Sequence, residues 1–184
     1  MKNIVYATGA ALLLVGVYHR LNAARSREPI NRRLEGWPLL IGIRLSGLAM
    51  FVALFLAFRE PSPPVLRLQW AGTGLFVASA AWLAWMFVSL GRNLTDTVVT
   101  RREAYFVSHG PYNYVRNPMY IGILVAGLSL ALVLGSWLVE VFVSTCFVLL
   151  AIRTRIEERY LIARFGETYK TYMSKVGRFL PYIL

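Results

Sequence analysis

The sequence is poor in the residues that build disulfide frameworks, metal centres and acidic surfaces. Its 184 residues include one cysteine, two histidines and nine acidic residues. The one cysteine, Cys146, excludes a disulfide within the chain and is interpreted as a small residue inside an apolar run. Because the two histidines lie far apart and no second cysteine is present, the sequence shows no metal site of standard ligand spacing.

Charged residues of both signs are also scarce. Only 16% of the chain is charged, whereas 57% is hydrophobic. This apolar excess is too high for an ordinary soluble domain. Segments of about 20 apolar residues, long enough to cross a bilayer as a helix, are the expected cause. The length of the chain is typical of a single domain.

The net charge of +11 is distributed as in a membrane protein. Of the 20 lysines and arginines, 16 fall within 20–37, 91–117 and 153–184, which alternate with apolar runs. Such alternation indicates cytoplasmic loops under the positive-inside rule. It argues against nucleic-acid binding and predicts contact with anionic lipid headgroups.

Five apolar runs predict an all-α integral membrane protein with five transmembrane helices in one membrane-embedded domain, 1–184. The runs cover about 4–18, 38–58, 65–90, 118–134 and 137–152. Only Gly135 and Ser136 separate the last two, so we predict that they form a tight helical hairpin. A cytoplasmic loop, 91–117, precedes this hairpin, and a cytoplasmic helical tail, 153–184, follows it. Gly166 is expected to end the first helix of the tail.

The first apolar run is short enough to be compared with a secretory signal peptide. Five arginines follow it within Arg20–Arg33, whereas Lys2 is the only basic residue before it. A basic cluster after the run resists export, which favours a retained helix with its N-terminus outside. We therefore predict a multi-pass membrane protein with a cytoplasmic C-terminus.

One polar and aromatic cluster, His109–Gly122, lies directly before the fourth apolar run. Asn117 is suited to an N-cap and Pro118 to the first helical position, so a helix is expected to start there. A helix N-terminus accepts an anion, and Arg116 beside it offers a two-pronged contact to a carboxylate. Tyrosines within the cluster add phenolic donors and flat faces.

A second polar cluster, Arg153–Arg159, follows the fifth apolar run. The predicted hairpin brings it close to the first cluster, although about 40 residues separate the two along the chain. Each piece also has a structural interpretation: tyrosines and arginines anchor membrane interfaces, and Arg153 with Glu157 has the spacing of a surface ion pair. The occurrence of both clusters at the two feet of one hairpin favours a site.

Together the two clusters resemble the isoprenylcysteine carboxyl methyltransferase family. His109–Gly122 is similar to its Gly-Pro-Tyr-x-Tyr-x-Arg-His-Pro-x-Tyr-x-Gly signature, with Asn117 where histidine is commonest. The resemblance covers roughly 90–181 and extends more distantly to phospholipid N-methyltransferases. Matches to the family's C-terminal pattern are Glu157-Glu158, Leu161, Phe165-Gly166, Tyr169 and Tyr172.

The resemblance implies an integral membrane methyltransferase that uses S-adenosylmethionine, with the 91–117 loop covering the cofactor. It implies catalytic roles for Arg153, Glu157 and Glu158, where an arginine orients an acidic acceptor. The cofactor-binding residues that it implies are His109, Gly110, Tyr112, Tyr114, Arg116, Asn117, Pro118, Tyr120 and Glu158.

The acceptor is expected to be lipophilic and to enter between helices. A carboxylate, as in an isoprenylated cysteine or a lipid acid, is ionised at neutral pH and needs no base. A phospholipid amine starts protonated and needs one. The sequence favours a carboxyl or thiol-type acceptor, because it shows no well-placed base beyond His109. The alternatives are a phospholipid N-methyltransferase and a non-enzymatic membrane carrier or interaction protein. Polar clusters at the membrane boundary, rather than at the midplane, favour an enzyme over a carrier.

Overall fold

A computed structural model describes residues 2–24, 37–59, 66–90, 107–181 and 183. Across these residues the fold is all-helical, with isolated bridges but no strand. One 3₁₀ turn, Gly110–Asn113, lies before α4. The helices are α1 Lys2–Ala24, α2 Trp37–Arg59, α3 Leu66–Leu90, α4 Pro118–Leu134, α5 Trp137–Phe165 and α6 Glu167–Met173.

The helices follow the predicted apolar runs. Two helical segments are long and apolar enough to cross a membrane, Leu68–Leu90 and Trp137–Phe165, and two shorter apolar segments are Ile41–Ala57 and Pro118–Leu134. Much of the loop predicted over 91–117 lies outside the described residues, which resume at 107. The all-helical prediction is confirmed.

Helix packing relies on close approach at small residues. The most extensive contacts join α3 to α4 and α2 to α5, and α4 also packs on α5. At Gly72 of α3, an added Cβ would lie 2.9 Å from the carbonyl oxygen of Ser129 on α4. One apolar core lies between α2, α4 and α5 and contains Ala53, Ala57, Ala131, Leu134, Val139 and Val143.

Large apolar side chains also cover the outside of the bundle. Phe51, Leu48 and Trp137 are each more than 60% exposed, as are several others along the helices. Soluble monomers rarely expose apolar surface on this scale. The exposed faces therefore suit contact with lipid.

The α4–α5 connection is short, and α5 is long. Gly135 adopts a left-handed conformation, with φ of 64°, and the next residue, Ser136, precedes α5. Helix α5 continues without a break for 29 residues, from its apolar half into the polar cluster Arg153–Arg159. Gly166, with φ of 55°, ends it as predicted. A single rigid element thus carries polar groups out from the apolar bundle.

Candidate functional site at the polar ends of α4 and α5

The segment that leads into α4 is fixed against α3. Gly110 has a positive φ of 65°, and a Cβ there would collide with the side chain of Ser89. The Tyr114 ring packs edge-on against Trp85, with ring centroids 6.2 Å apart. At the start of α4, Trp82 Nε1 donates a hydrogen bond of 2.9 Å to the carbonyl oxygen of Pro118. These contacts set the position from which the first turn of α4 begins.

Helix α4 begins at Pro118 with Asn117 at the N-cap position, as the sequence predicts. The Asn117 side chain, however, makes no capping hydrogen bond to α4. Instead its Nδ2 and its backbone N–H both donate to the carbonyl oxygen of Arg178, each at 3.2 Å. The prediction of a side-chain cap is wrong, because a carbonyl of the C-terminal segment draws the amide group away from the helix.

The first turn of α4 contacts α5 through a hydrogen-bonded carboxylate. The Tyr120 hydroxyl donates to Glu157 Oε1 at 2.7 Å. The same oxygen lies 3.2 Å from Arg153 Nε, one helical turn earlier on α5. Both members of this ion pair are largely buried, with side-chain exposures of 12% and 21%. The two polar clusters therefore meet across 37 residues of sequence, as expected.

A second carboxylate, Glu158, holds two arginines. Its Oε1 lies 3.1 Å from Arg116 Nε. Arg178 binds it in two-pronged fashion, from Nε to Oε1 at 3.1 Å and from Nη2 to Oε2 at 2.6 Å. Arg116 also donates from Nη1 to the carbonyl oxygen of Met173 at 2.8 Å. Because two guanidinium groups share one carboxylate, this cluster, in which Arg116 and Glu158 are buried, carries one net positive charge.

The C-terminal segment that supplies Arg178 was missing from the predicted site. The Arg116 backbone N–H donates to the carbonyl oxygen of Gly177 at 2.9 Å, and Val115 forms a parallel bridge with Gly177. A Cβ on Gly177 would collide with the carbonyl oxygens of Leu180 and Ile183. Gly177 is a sequence signal for this close approach, whereas the backbone carbonyls that accept from Arg116 and Asn117 leave none.

Three tyrosines lie around the polar cluster. The Tyr172 hydroxyl donates to the carbonyl oxygen of Tyr112 at 2.6 Å, which joins α6 to the 3₁₀ turn. Burial raises the pKa of Tyr112 above its ordinary value, with smaller contributions from Tyr172 and Glu157. Burial likewise raises the pKa values of Tyr169 and Tyr172, and the Arg116 charge opposes both shifts. All three therefore remain neutral hydrogen-bonding groups at physiological pH.

The structure brings together most of the predicted site residues. Arg116 contacts Glu158 and Tyr120 contacts Glu157, which also pairs with Arg153. The 3₁₀ turn that contains Gly110 and Tyr112 joins them through Tyr172, and Pro118 is buried at the start of α4. Two predicted residues lie elsewhere: Tyr114 packs on Trp85, and His109 is exposed before the turn.

A family model described as phospholipid methyltransferase matches residues 67–168. The chain belongs to this family. The match covers α3, α4 and α5 and so includes Arg116, Tyr120, Arg153, Glu157 and Glu158. It confirms, at the level of the family, the resemblance seen in the two motifs.

Curated relatives of this family member include two kinds of methyltransferase. A protein-S-isoprenylcysteine O-methyltransferase of Schizosaccharomyces pombe is 33% identical over 104 residues, covering 52% of this chain and 42% of that protein. A methanethiol S-methyltransferase of Pseudomonas deceptionensis is 39% identical over 126 residues, covering 67% and 47% respectively. The chain spans about half the length of the curated relatives that it matches.

A solved structure shares the fold. The eukaryotic intramembrane Ras methyltransferase (isoprenylcysteine carboxyl methyltransferase) aligns with a TM-score of 0.59 and 21% identity. The alignment covers 84% of this chain and 55% of that one. This chain therefore shares the helical arrangement of that protein.

Proposed function

We propose that this protein is an integral membrane enzyme that transfers a methyl group from S-adenosylmethionine to a lipophilic acceptor at the cytoplasmic membrane boundary. The observation that carries the proposal is the joining of the two polar clusters. Tyr120 contacts Glu157 and Arg116 contacts Glu158, so cations, carboxylates and phenols converge at the polar ends of two apolar helices.

The residues present fit the methyl donor. Its methionyl carboxylate requires cationic donors, and the Arg116–Glu158–Arg178 cluster has one positive charge in excess. Arg116 Nε is buried and lacks a well-aligned hydrogen bond among the described residues, although it is paired with Glu158. We propose that Arg116 binds the carboxylate end, beside Tyr120, whose own hydroxyl proton is donated to Glu157. Glu157 would accept from the ribose hydroxyls, and Tyr112 would border the adenine.

The donor, when bound, supplies a methyl group attached to a positively charged sulfur. When the methyl group is transferred, the sulfur keeps the electron pair of the broken carbon–sulfur bond and becomes neutral. The chain binds and orients the two reactants and excludes water, which supplies most of the acceleration in an in-line displacement. We assign Arg153 to the orientation of an acidic acceptor. Its largely buried position beside Glu157 would set the direction from which the acceptor approaches the methyl group.

A carboxylate is the acceptor that this site supports best. Glu157 is engaged by Tyr120 and Arg153, and Glu158 by two arginines. Neither carboxylate is thus placed to take a proton from an ammonium group, whereas an ionised carboxylate needs no base. An isoprenylcysteine-like acid or a lipid acid fits this requirement.

A thiol is the second candidate acceptor. The relative from Pseudomonas deceptionensis, at 39% identity, is named for S-methylation of methanethiol. A thiol must lose its proton before or during transfer, and the cationic surplus at Arg116 and Arg178 would stabilise the resulting thiolate. Direct comparison of acceptors separates this candidate from the first.

We further propose that the whole chain forms one membrane-embedded domain with five spans, an external N-terminus and a cytoplasmic C-terminus. The likeness to an intramembrane fold and the exposed apolar helix faces support this arrangement. In it, α4 and α5 form a helical hairpin whose tip, Gly135-Ser136, faces outward. The site then lies at the cytoplasmic ends of both helices.

Two measurements on purified protein in lipid nanodiscs test the function. The first is calorimetric binding of S-adenosylhomocysteine, and the second is transfer of labelled methyl groups to methanethiol, a farnesylated cysteine or phosphatidylethanolamine. We expect binding, and transfer to the farnesylated cysteine. No binding by a folded protein would support a non-enzymatic carrier, and transfer only to phosphatidylethanolamine would contradict the acceptor assignment.

Variants locate the activity within the structure. Arg116→Ala, Arg153→Ala and Glu158→Ala should each lose methyl transfer while the protein still inserts. The matched control is Lys170→Ala, which removes an exposed ion pair with Glu167 and should leave transfer unchanged. Full activity in all three site variants would refute the assignment.

A further inference from the structure

The C-terminal segment Val176–Pro181, which we call the strap, crosses the two polar clusters after α6 has ended. It contacts the chain before α4 through its backbone. The carbonyl oxygens of Gly177 and Arg178 accept the backbone N–H groups of Arg116 and Asn117, at 2.9 and 3.2 Å. The strap thus holds the two residues that immediately precede the first turn of α4.

The strap also contacts α5 through two side chains. Arg178 binds Glu158 through its Nε and Nη2 atoms, a paired geometry that fixes both carboxylate oxygens. The neighbouring Phe179 packs against Phe147 of α5, with ring centroids 5.3 Å apart. The hydrogen bond with Glu158 raises the pKa of Arg178 above its ordinary value. The guanidinium therefore stays charged at every accessible pH.

We propose that Arg178 is a positioning residue of the methyl-transfer site, an inference that rests on the function proposed above. Its guanidinium sets the rotamer of Glu158, and Glu158 in turn pairs with Arg116. Its carbonyl holds Asn117 from the other side. Side chain and backbone of one residue thereby fix the distance between α5 and the start of α4.

The burial of Glu158 and Arg116 distinguishes this role from that of a simple surface ion pair. Glu158 is 5% exposed and Arg116 is 9% exposed, so both groups have lost their water. Because buried polar networks act cooperatively, we expect a carboxylate that loses one of its two partners to reorient toward the remaining one. Removal of Arg178 should then displace Arg116 as well, although the two arginines are 62 positions apart in the sequence.

The size of the effect follows from the sensitivity of catalysis to position. Displacement of a positioned group by about 1 Å costs up to about a hundredfold in rate. We expect Arg178→Ala to weaken binding of S-adenosylhomocysteine at least about tenfold and to lower the rate of transfer further. Arg178→Lys keeps the charge but loses the two-pronged geometry, so it should recover only part of the loss.

Chemical rescue distinguishes positioning from general stability. The Arg178 side chain is 34% exposed, so a small cation can enter the space left by Arg178→Ala. Guanidinium ion, at concentrations well below those that denature proteins, should restore binding and transfer in this variant. Equal concentrations of sodium should not. The matched control is Lys175→Ala, an exposed cation that lies just before the strap, which should bind like the wild type.

Hydrogen exchange of the ligand-free protein provides a readout that does not depend on the reaction. The amides of Arg116 and Asn117 should exchange faster in Arg178→Ala than in the wild type, and those of the middle of α4 should not. Unchanged exchange, wild-type affinity for S-adenosylhomocysteine or absence of rescue would each overturn the positioning role. A wild-type protein that shows the slow amides but binds no S-adenosylhomocysteine would refute the proposed function while the strap contacts stand.

Discussion

Glu158 joins three parts of the chain that are distant in sequence. It lies on α5, pairs with Arg116 before α4 and binds Arg178 of the strap. A buried carboxylate of this kind is costly to create but more costly to disrupt, because its buried partner, Arg116, is left charged and without water. The residue therefore contributes to the stability of the protein as well as to the candidate site.

Replacement of Glu158 by glutamine should destabilise the protein strongly. The change keeps the shape of the side chain but leaves two guanidinium groups without their counter-charge. We expect a loss of about 3 kcal/mol in the free energy of unfolding, in line with other broken buried ion pairs. Unfolding in mixed detergent–denaturant micelles measures this difference.

Glu167→Gln serves as the control for that change. Its carboxylate pairs with Lys170 on the surface of α6 and is 83% exposed. Exposed pairs of this kind contribute little, so the variant should unfold like the wild type. Equal destabilisation by both substitutions would show that Glu158 has no special structural role.

Sequence reasoning identified Glu157-Glu158 as a pair but not the different partners of its two members. Consecutive helix residues point about 100° apart, so the two carboxylates face different neighbours. Glu157 contacts Tyr120 and Glu158 contacts Arg116. The pairing of Arg153 with Glu157 follows from their spacing alone. The choice between Tyr120 and Arg116 depends on how α4 is rotated against α5, which local sequence does not specify.

At the scale of the helices, Gly72 on α3 sets how closely α4 approaches. Gly72 faces α4, where an added Cβ would meet Ser129 at 2.9 Å and both Leu132 and Val133 at 3.0 Å. Gly74 lies only two residues further along, yet a Cβ there would have no neighbour within 4 Å. The two glycines therefore lie on the same helix, but only Gly72 is closely packed against a neighbouring helix.

This pair provides a direct test of the α3–α4 contact. Gly72→Ala should lower stability by about 1–3 kcal/mol, because the obstructing atoms include a backbone carbonyl that moves only with its helix. Gly74→Ala should be neutral or stabilising by up to about 1 kcal/mol, since alanine favours the helix. Thermal inactivation in nanodiscs compares the two variants, and equal behaviour would contradict the packing described for α3 and α4.

The bounds of the helices were largely predictable, whereas the path of the strap was not. Asn117-Pro118 and Gly166 mark helix ends by local chemistry, and the structure places the ends of α4 and α5 there. The strap follows no such pattern. Its position depends on backbone carbonyls at Gly177 and Arg178, which every residue possesses. It depends also on a partner for the Arg178 side chain that lies 20 residues earlier, on α5, and that local sequence does not specify.

Considered as a whole, the polar end of the molecule has three tyrosines whose pKa values burial raises above the ordinary 10.0. Below pH 10 these hydroxyls are protonated in both the folded and the unfolded protein and add no pH dependence. Above it the unfolded chain releases the protons first, which favours unfolding. Stability should therefore fall as the pH rises beyond about 10.

Unfolding transitions recorded at increasing alkaline pH test this expectation. Tyr169→Phe removes one of the buried hydroxyls and should flatten the alkaline decline. Tyr114→Phe, at a half-exposed ring packed on Trp85, is the matched control and should leave the slope unchanged. An identical decline in Tyr169→Phe would contradict the role of this buried phenol.

The proposed membrane arrangement predicts which positions reagents reach from each side. In a Cys146→Ala background, Ser136→Cys at the α4–α5 connection should react with an impermeant thiol reagent added to intact cells. Ser174→Cys, exposed at the end of α6, should react only after the membrane is permeabilised. Labelling of both positions from the same side would exclude a hairpin that crosses the membrane.

Because α5 is continuous, its length fixes the distance between its apolar N-terminal end and the carboxylates of the candidate site. Glu158 lies 21 residues after Trp137, which corresponds to about 32 Å along a helix and so matches the roughly 30 Å hydrocarbon core. No flexible joint lies between the two residues to absorb a mismatch. A thinner or thicker bilayer must therefore tilt this helix or shift the carboxylate relative to the headgroups. The acyl-chain length of the host lipids thus becomes a variable that sets the depth at which the acceptor is presented.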